Sequence, residues 1–301
     1  MEQISTINKT SFNKVRRNLK LGDILSDIIA ENNMVGTVYY VDTVNGDDDN
    51  NGKSIENAFE TMAAAFEVIQ SRDRIVLCGK VREQLIAPLG VYGVTIVGGD
   101  TMPRHDLAAS WMAPAEDAEA SVALCEILEQ GWVFENILFQ STTTAPAVKI
   151  SRAEDAVHPD GSHAQFINCR FAGVDGIWLH GGCFNVAVVG CKFYDLTGTA
   201  IKSTDVSIDT HTHLLVEGCQ FVHNADCIDA PLKWSVIKNN VFGENTATID
   251  LTGGTAPNYV INNYFDIAAA SFDPTGGVTG VDGDVWYNYL TDAVEQGLPA
   301  D

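Results

Sequence analysis

Apolar and polar positions recur in a fixed six-residue order through the C-terminal part of the chain: an apolar residue, two others, Asn or Cys, one more, then Phe or Leu. Seven instances occupy residues 133–138, 166–171, 188–193, 216–221, 237–242, 260–265 and 285–290. Their fourth members, Asn136, Cys169, Cys191, Cys219, Asn240, Asn263 and Asn288, follow one another at intervals of 33, 22, 28, 21, 23 and 25 residues. An irregular period in the low twenties, stretched by insertions, marks a solenoid in which each repeat is one turn of a stack.

Side chains of one strand alternate between faces, so positions four and six share a face and position one falls on the other. All three nevertheless have the character of buried positions. The parity must break between positions one and four, and position three shows how. It holds Glu135, Asn168, Gly190, Gly218, Asn239, Asn262 and Tyr287, five of the seven being residues that tolerate a left-handed backbone. Each repeat is predicted to be a strand, a tight bend and a second strand.

A second apolar column lies several residues downstream: Val148, Ile177, Ile201, Ile228 and Ile249, with Lys149, Trp178, Lys202, Asp229 and Asp250 beside them facing out. Coils of two or three short strands, stacked like on like, give an all-β fold: a single-stranded, right-handed parallel β-helix over residues 35–301, of about nine or more turns. Helix-pair solenoids require longer segments with a 3.6-residue period. Propeller blades require longer repeats of four strands each.

Residues 1–34 form a separate N-terminal segment. Lys9, Lys14, Arg16, Arg17 and Lys20 stand against Glu2 in the first twenty residues, a net of +4 that leaves −26 on the rest of the chain. Leu21, Ile24, Leu25, Ile28 and Ile29 then fall at helical spacing. This amphipathic helix can cap the open end of the solenoid or dock into another protein. A strand is predicted over 37–41, then an Asp/Asn/Gly-rich loop, then a helix over 58–69 with Ser54 or Asn57 as N-cap. Strands begin at Asp73, and residues 101–120 are expected to be a loop thrown out from the coil.

Charge narrows the choice of partners. The chain has 301 residues, 18 Lys plus Arg and 40 Asp plus Glu, a net charge of −22. Nucleic acid held by general phosphate attraction, anionic membranes and polyanionic glycans are therefore not expected partners unless a local basic patch or Ca2+ intervenes. No run of 18 apolar residues offers a membrane span, and the N-terminus lacks the apolar core of a secretion signal, so synthesis in a cytosol is expected. Seven cysteines include three, Cys169, Cys191 and Cys219, at one repeat position in consecutive turns. They fit a ladder of reduced, buried thiols. Stacked turns about 4.8 Å apart also lie within disulfide reach.

The run YYVDTVNGDDDNNGKSIENAFETMAAA resembles the opening of pectate-lyase-like right-handed β-helix proteins, a superfamily of lyases, hydrolases and phage spikes. VREQLIAPLGVYGVTIVGGDTMPRHD, GWVFENILF, DGSHAQFINCRFAG and the ending VWYNYLTDAVEQGLPAD further resemble a group of tailed-bacteriophage virion structural proteins, over roughly residues 15–301. That resemblance implies a virion component, a homotrimer projecting from capsid or tail, of head-fibre, capsid-decoration or tail-spike type. The basic arm and apolar helix suit its attachment: Lys14, Arg16, Arg17, Lys20, Leu21, Ile24, Leu25 and Ile28 would bind capsid or tail proteins. The expected function is non-enzymatic, structural or adhesive. The alternative is a tail-spike that binds or depolymerises host surface polysaccharide.

Candidate chemistry is confined to a few positions. Asp229 and Asp250 share an outward column one turn apart with Asp226 nearby, and two carboxylates at such spacing can hydrolyse glycosides; a solvated charge ladder, with Lys202 pairing Asp229, accounts for the same residues. Trp178 on that face could stack on a sugar. Asp47, Asp48 and Asp49 offer hard oxygens, so Ca2+ is the one cofactor the sequence brings into view, although such clusters also make turns. His211 and His213 alternate on an expected strand, and a threefold axis would gather six imidazoles around a metal; the same residues also fit an exposed loop.

Overall fold

A computed structural model describes residues 36–99, 109–115, 119, 122–141, 146–151, 161–203, 211–251, 257–266, 278–279, 285–286 and 288–290. The chain divides after Gly36, and the second unit is the body described below. The anchor residues Lys14 to Ile28 lie outside the described residues.

Three parallel sheets run through this body. Sheet A has ten strands, from Val38–Asp42 and Arg74–Cys78 to Val285–Trp286; sheet B has nine, from Lys80–Arg82 to Tyr289–Leu290; sheet C has eight, from Leu85–Ile86 to Val278–Thr279. The chain visits A, B and C in that order, so each strand pairs with its counterpart in the next coil and the fold is a parallel β-helix. The predicted second apolar column is in register throughout: Val148, Ile177, Ile201, Ile228 and Ile249 are successive Cα partners in sheet C.

The predicted bend is the corner between sheets A and B. Asn168, Gly190, Gly218, Asn239 and Asn262 all have φ between 53° and 65°. In the first instance the register differs by one residue from the sequence expectation. Phe134, not Val133, pairs with Phe166, and the left-handed residue is Asn136 at φ 57°, not Glu135. The run of alternating apolar residues VFENILF fits the pattern in two frames. The frame that buries Phe134, Ile137 and Phe139 prevails because it places the larger rings inside. The loop expected over 101–120 is also interrupted: Ser110–Met112 is a sheet B strand with Trp111 fully buried and paired to Phe139.

Position six fills the interior with one continuous ring column. Phe139, Phe171, Phe193, Phe221, Phe242 and Phe265 stack with centroids 4.7–5.2 Å apart and planes within 11°. The coil spacing thus sets the ring spacing, and offset stacking adds roughly 0.5–1.5 kcal/mol per pair beyond burial.

Position four explains why Cys and Asn interchange. The amides of Asn240, Asn263 and Asn288 donate to the carbonyls of Val216, Ile237 and Val260, the position-one residues of the preceding coils, at 3.0–3.1 Å. The thiols of Cys169, Cys191 and Cys219 donate at 3.4 Å to Phe134, Phe166 and Val188, which hold that same position. Both residues give that carbonyl a side-chain donor inside the corner.

Two further corners have left-handed columns that the sequence does not advertise. Asp195, His223 and Glu244 have φ of 53°, 56° and 52° after sheet B. His163, Asn185, His213 and Trp234 have φ of 60°, 55°, 60° and 49° after sheet C. In the first of these columns the His223 imidazole bridges Asp195 at 3.4 Å and Glu244 at 2.6 Å.

Helix α1 (Met62–Val68) closes the N-terminal end. Met62, Ala65 and Phe66 are buried, and the Phe66 ring meets Trp132 at 5.7 Å and Trp111 at 6.2 Å edge-on. The helix is shorter than the predicted 58–69 and its N-cap is Thr61, whose hydroxyl accepts from the Ala64 amide; Ser54 instead precedes a short 3-10 turn, Ile55–Asn57. No helix among the described residues is long and apolar enough to cross a membrane.

Candidate functional site

Sheet C presents its outward column as a ladder, Glu126, Lys149, Trp178, Lys202, Asp229 and Asp250, one residue per coil. At its lower end Lys149 Nζ meets Glu126 Oε1 at 3.0 Å, and Ser151 Oγ donates to the same oxygen at 2.6 Å. Trp178 stands between two ammonium groups, Lys149 Nζ at 5.6 Å and Lys202 Nζ at 5.2 Å from its ring centroid. A sugar stacks on an open aromatic face, and here a cation occupies each side. The indole Nε1 is buried without a hydrogen-bond partner.

Lys202 pairs with Asp175 and not with Asp229 as the sequence suggested. The physical reason is burial. Asp175 is 5% exposed, and its carboxylate also accepts from the Thr199 amide at 2.7 Å. An unpaired charge there would be far more costly than one at the exposed Asp229.

The upper end gathers carboxylates. Burial, followed by the charge of Asp229, pushes Asp226 up to about 6, against a lowering by the Cys227 amide. Asp229 is also raised, by burial and then by Asp250, with Lys202 opposing. Asp229 and Asp250 are direct register partners. A carboxyl whose pKa is raised toward neutrality beside other carboxyls can act as a general acid.

The N-terminal aspartates do turn work. Asp48 accepts from the Glu60 and Thr61 amides at 2.8 and 2.9 Å and from the Thr61 hydroxyl at 2.8 Å, which ties the loop to the start of α1. Asp47 accepts from the Asp49 amide at 3.0 Å. Among the described residues, no three His, Cys, Asp or Glu side chains gather as a metal site. His211 lies in strand His211–Thr212, but His213 follows its end in the left-handed conformation and packs its ring 5.6 Å from Trp234. The expected strand alternation therefore stops before His213.

A feature that sequence reasoning passed over lies on sheet B. Position five faces outward there and carries Arg170, Lys192, Gln220, Val241, Tyr264 and Tyr289 in register. A groove of about 200 Å³ is lined by Arg170, Lys192, Phe193, Tyr194, Gln220 and Val222. The strand Lys192–Leu196 has a bulge opposite Phe171 and Gly173, with Asp195 left-handed. Its signal in the sequence is position five of the six-residue pattern, which varies from coil to coil while the buried positions repeat.

A family model described as a right handed beta helix region matches residues 136–279. Among solved structures, pectate lyase Pel9A is similar with a TM-score of 0.53 and 15% identity, covering 87% of this chain and 78% of that one. XylC in complex with xylose has a TM-score of 0.49 at 10% identity, over 87% of this chain and 72% of that one. The lacto-N-biosidase of family GH136 from Eubacterium ramulus has 0.46 at 12%, over 90% and 70%. No curated protein matches the chain. The fold is the right-handed β-helix, shared with pectate lyase Pel9A.

Proposed function

We propose that the protein is a non-enzymatic structural component of a phage particle, of capsid-decoration or head-fibre type, attached through residues 1–34. The particle assignment rests on the sequence resemblance over roughly residues 15–301. The non-enzymatic part rests on one observation: along the sheet C ladder, Glu126, Lys149, Trp178, Lys202 and Asp175 engage one another. Such pairing suits a structural role, because from Glu126 to Lys202 the charges are matched between neighbouring coils. Deleting residues 1–34 tests the attachment. The truncated chain is expected to fold and to be missing from purified particles; incorporation at the normal level would refute the anchor.

The alternative, a spike that depolymerises host polysaccharide, draws on the raised Asp226 beside Asp229 and Asp250. Incubation with host capsular polysaccharide and gel filtration of the products separates the two. Chain shortening that disappears in Asp226→Asn would establish the alternative, and unshortened chains are the outcome expected here.

A further inference from the structure

We infer that the outer face of sheet B binds an acidic saccharide chain, with its carboxylates held by Arg170 and Lys192. The reasoning begins with a mismatch of charge. On the other two sheets an outward lysine finds a carboxylate: Lys149 meets Glu126, Lys202 meets Asp175, and Lys238 meets Glu217 at 3.2 Å. Arg170 and Lys192 are direct register partners and neither makes an ion pair among the described residues. Like charges opposite each other in a sheet repel, and acids outnumber bases 40 to 18 in this chain. Two adjacent cations without a carboxylate are therefore a place where an anion from outside is favoured.

The shape around them fits a sugar. The groove of about 200 Å³ is walled by Tyr194 and Val222 beside Gln220, which supplies an amide donor and acceptor for hydroxyls. The bulge after Tyr194 interrupts the regular ladder at this point, a device that re-aims side chains beside binding sites. Arg170 offers a planar fork that matches a carboxylate with two parallel hydrogen bonds. Coils repeat about every 4.8 Å, close to the length of one sugar residue, so successive sugars meet successive coils. Beyond Gln220 the same column continues through Val241, Tyr264 and Tyr289, all exposed, and the two tyrosines give apolar rings with a polar tip for further sugars. This site lies on a different sheet from the carboxylates of Asp226 and Asp229, and it stands whether or not the protein belongs to a particle.

The test uses the full chain and isothermal calorimetry with three tetrasaccharides: a uronate oligomer, a sulfated oligomer and a neutral glucan. The uronate is expected to bind and the glucan not to. Binding of the sulfated probe as well would assign the site to anionic sugars generally. The double variant Arg170→Gln/Lys192→Gln should weaken uronate binding at least tenfold, whereas Lys53→Gln/Lys238→Gln, with the same change in net charge, should leave it within twofold. Because it removes a like-charge pair, the Arg170→Gln/Lys192→Gln protein should melt no lower than the parent, which separates lost binding from lost folding. Absence of uronate binding at millimolar concentration, equal binding of the glucan, or equal weakening in both double variants would overturn the inference.

Discussion

Adjacent asparagines at 239 and 240 are expected to respond to substitution in opposite ways. Asn240 is buried: its Oδ1 accepts from the Cys219 amide at 2.8 Å, and its Nδ2 donates to the Val216 carbonyl and to Asn263 Oδ1, both at 3.0 Å. Asn240→Ala leaves the Cys219 N–H without its acceptor and takes a side-chain donor from the Val216 carbonyl, at roughly 1–3 and 0.5–1.5 kcal/mol, so a loss of about 3 kcal/mol is expected. Asn239 is exposed, holds a left-handed φ of 58° and accepts from Asn262 Nδ2 at the surface; glycine adopts that φ freely and an exposed bond contributes little, so Asn239→Gly should change stability by less than about 0.5 kcal/mol. Asn240→Cys should fall between, losing roughly 1–2 kcal/mol, because a thiol can donate weakly to Val216 as Cys219 does to Val188. Urea unfolding gives the ordering. Amide exchange by mass spectrometry gives the location: the Cys219 amide should exchange about a hundredfold faster in Asn240→Ala, since each 1.4 kcal/mol is a factor of ten. Equal destabilisation by the two substitutions, or unchanged protection at Cys219, would refute the ladder as the source of the stability.

Phe221→Ala, which removes a fully buried ring stacked at 4.8 Å on Phe193 and on Phe242, should cost roughly 3–5 kcal/mol from cavity formation and Phe221→Leu much less; similar urea midpoints for the two would contradict a stacked core. For Asp226, with its pKa raised to about 6 in the folded protein, the folded state holds the extra proton between about pH 4 and 6, so this group makes stability fall as pH rises through that window. Asp226→Asn should flatten the fall, and an unchanged pH profile of melting temperature would count against the raised value. Burial pushes the thiols of Cys125, Cys191 and Cys227 up, and only Cys78 is not buried. A thiol reagent should therefore modify Cys78 alone in the native protein and all seven cysteines in denaturant; fewer than seven in denaturant would reveal a disulfide.

The sequence pattern made the stacking legible because the buried positions are chemically uniform: Phe at position six, Asn or Cys at position four, Ile or Val in the sheet C column. It also located the one corner where Asn and Gly dominate. The other two corners mix Asp195, His223 and Glu244, and His163, Asn185, His213 and Trp234, in the same left-handed conformation; Asn, Asp and His are enriched there but Glu and Trp are not, so no single residue type marks these columns along the chain. The frame at Phe134 was ambiguous for a related reason, since Val133 and Phe134 are both apolar and only the stacking against Phe166 decides between them. The outward ladder was read in the right order, but the pairing of Lys202 was not. Asp175 is the first residue of the sheet C strand Asp175–Leu179, outside the outward column, and its burial has no signature in the alternation of that column.

The corner after Thr95–Gly98 has a consequence for how such a chain can change. In later coils the residue at the bend and the next buried residue are adjacent, as in Asn168 and Cys169, whereas ten residues separate Gly98 from Ala109. Trp111 nonetheless falls into register with Phe139. Gly98 itself admits no exchange, because a Cβ there would stand 2.2 Å from the Asn136 carbonyl oxygen. The entropic charge for a longer connection grows only as the logarithm of its length, about 0.6 kcal/mol per doubling. New peptide can thus be spliced in at a corner while the neighbouring coils keep their pairing, so heredity can rewrite the exterior of this molecule in instalments without renegotiating its interior.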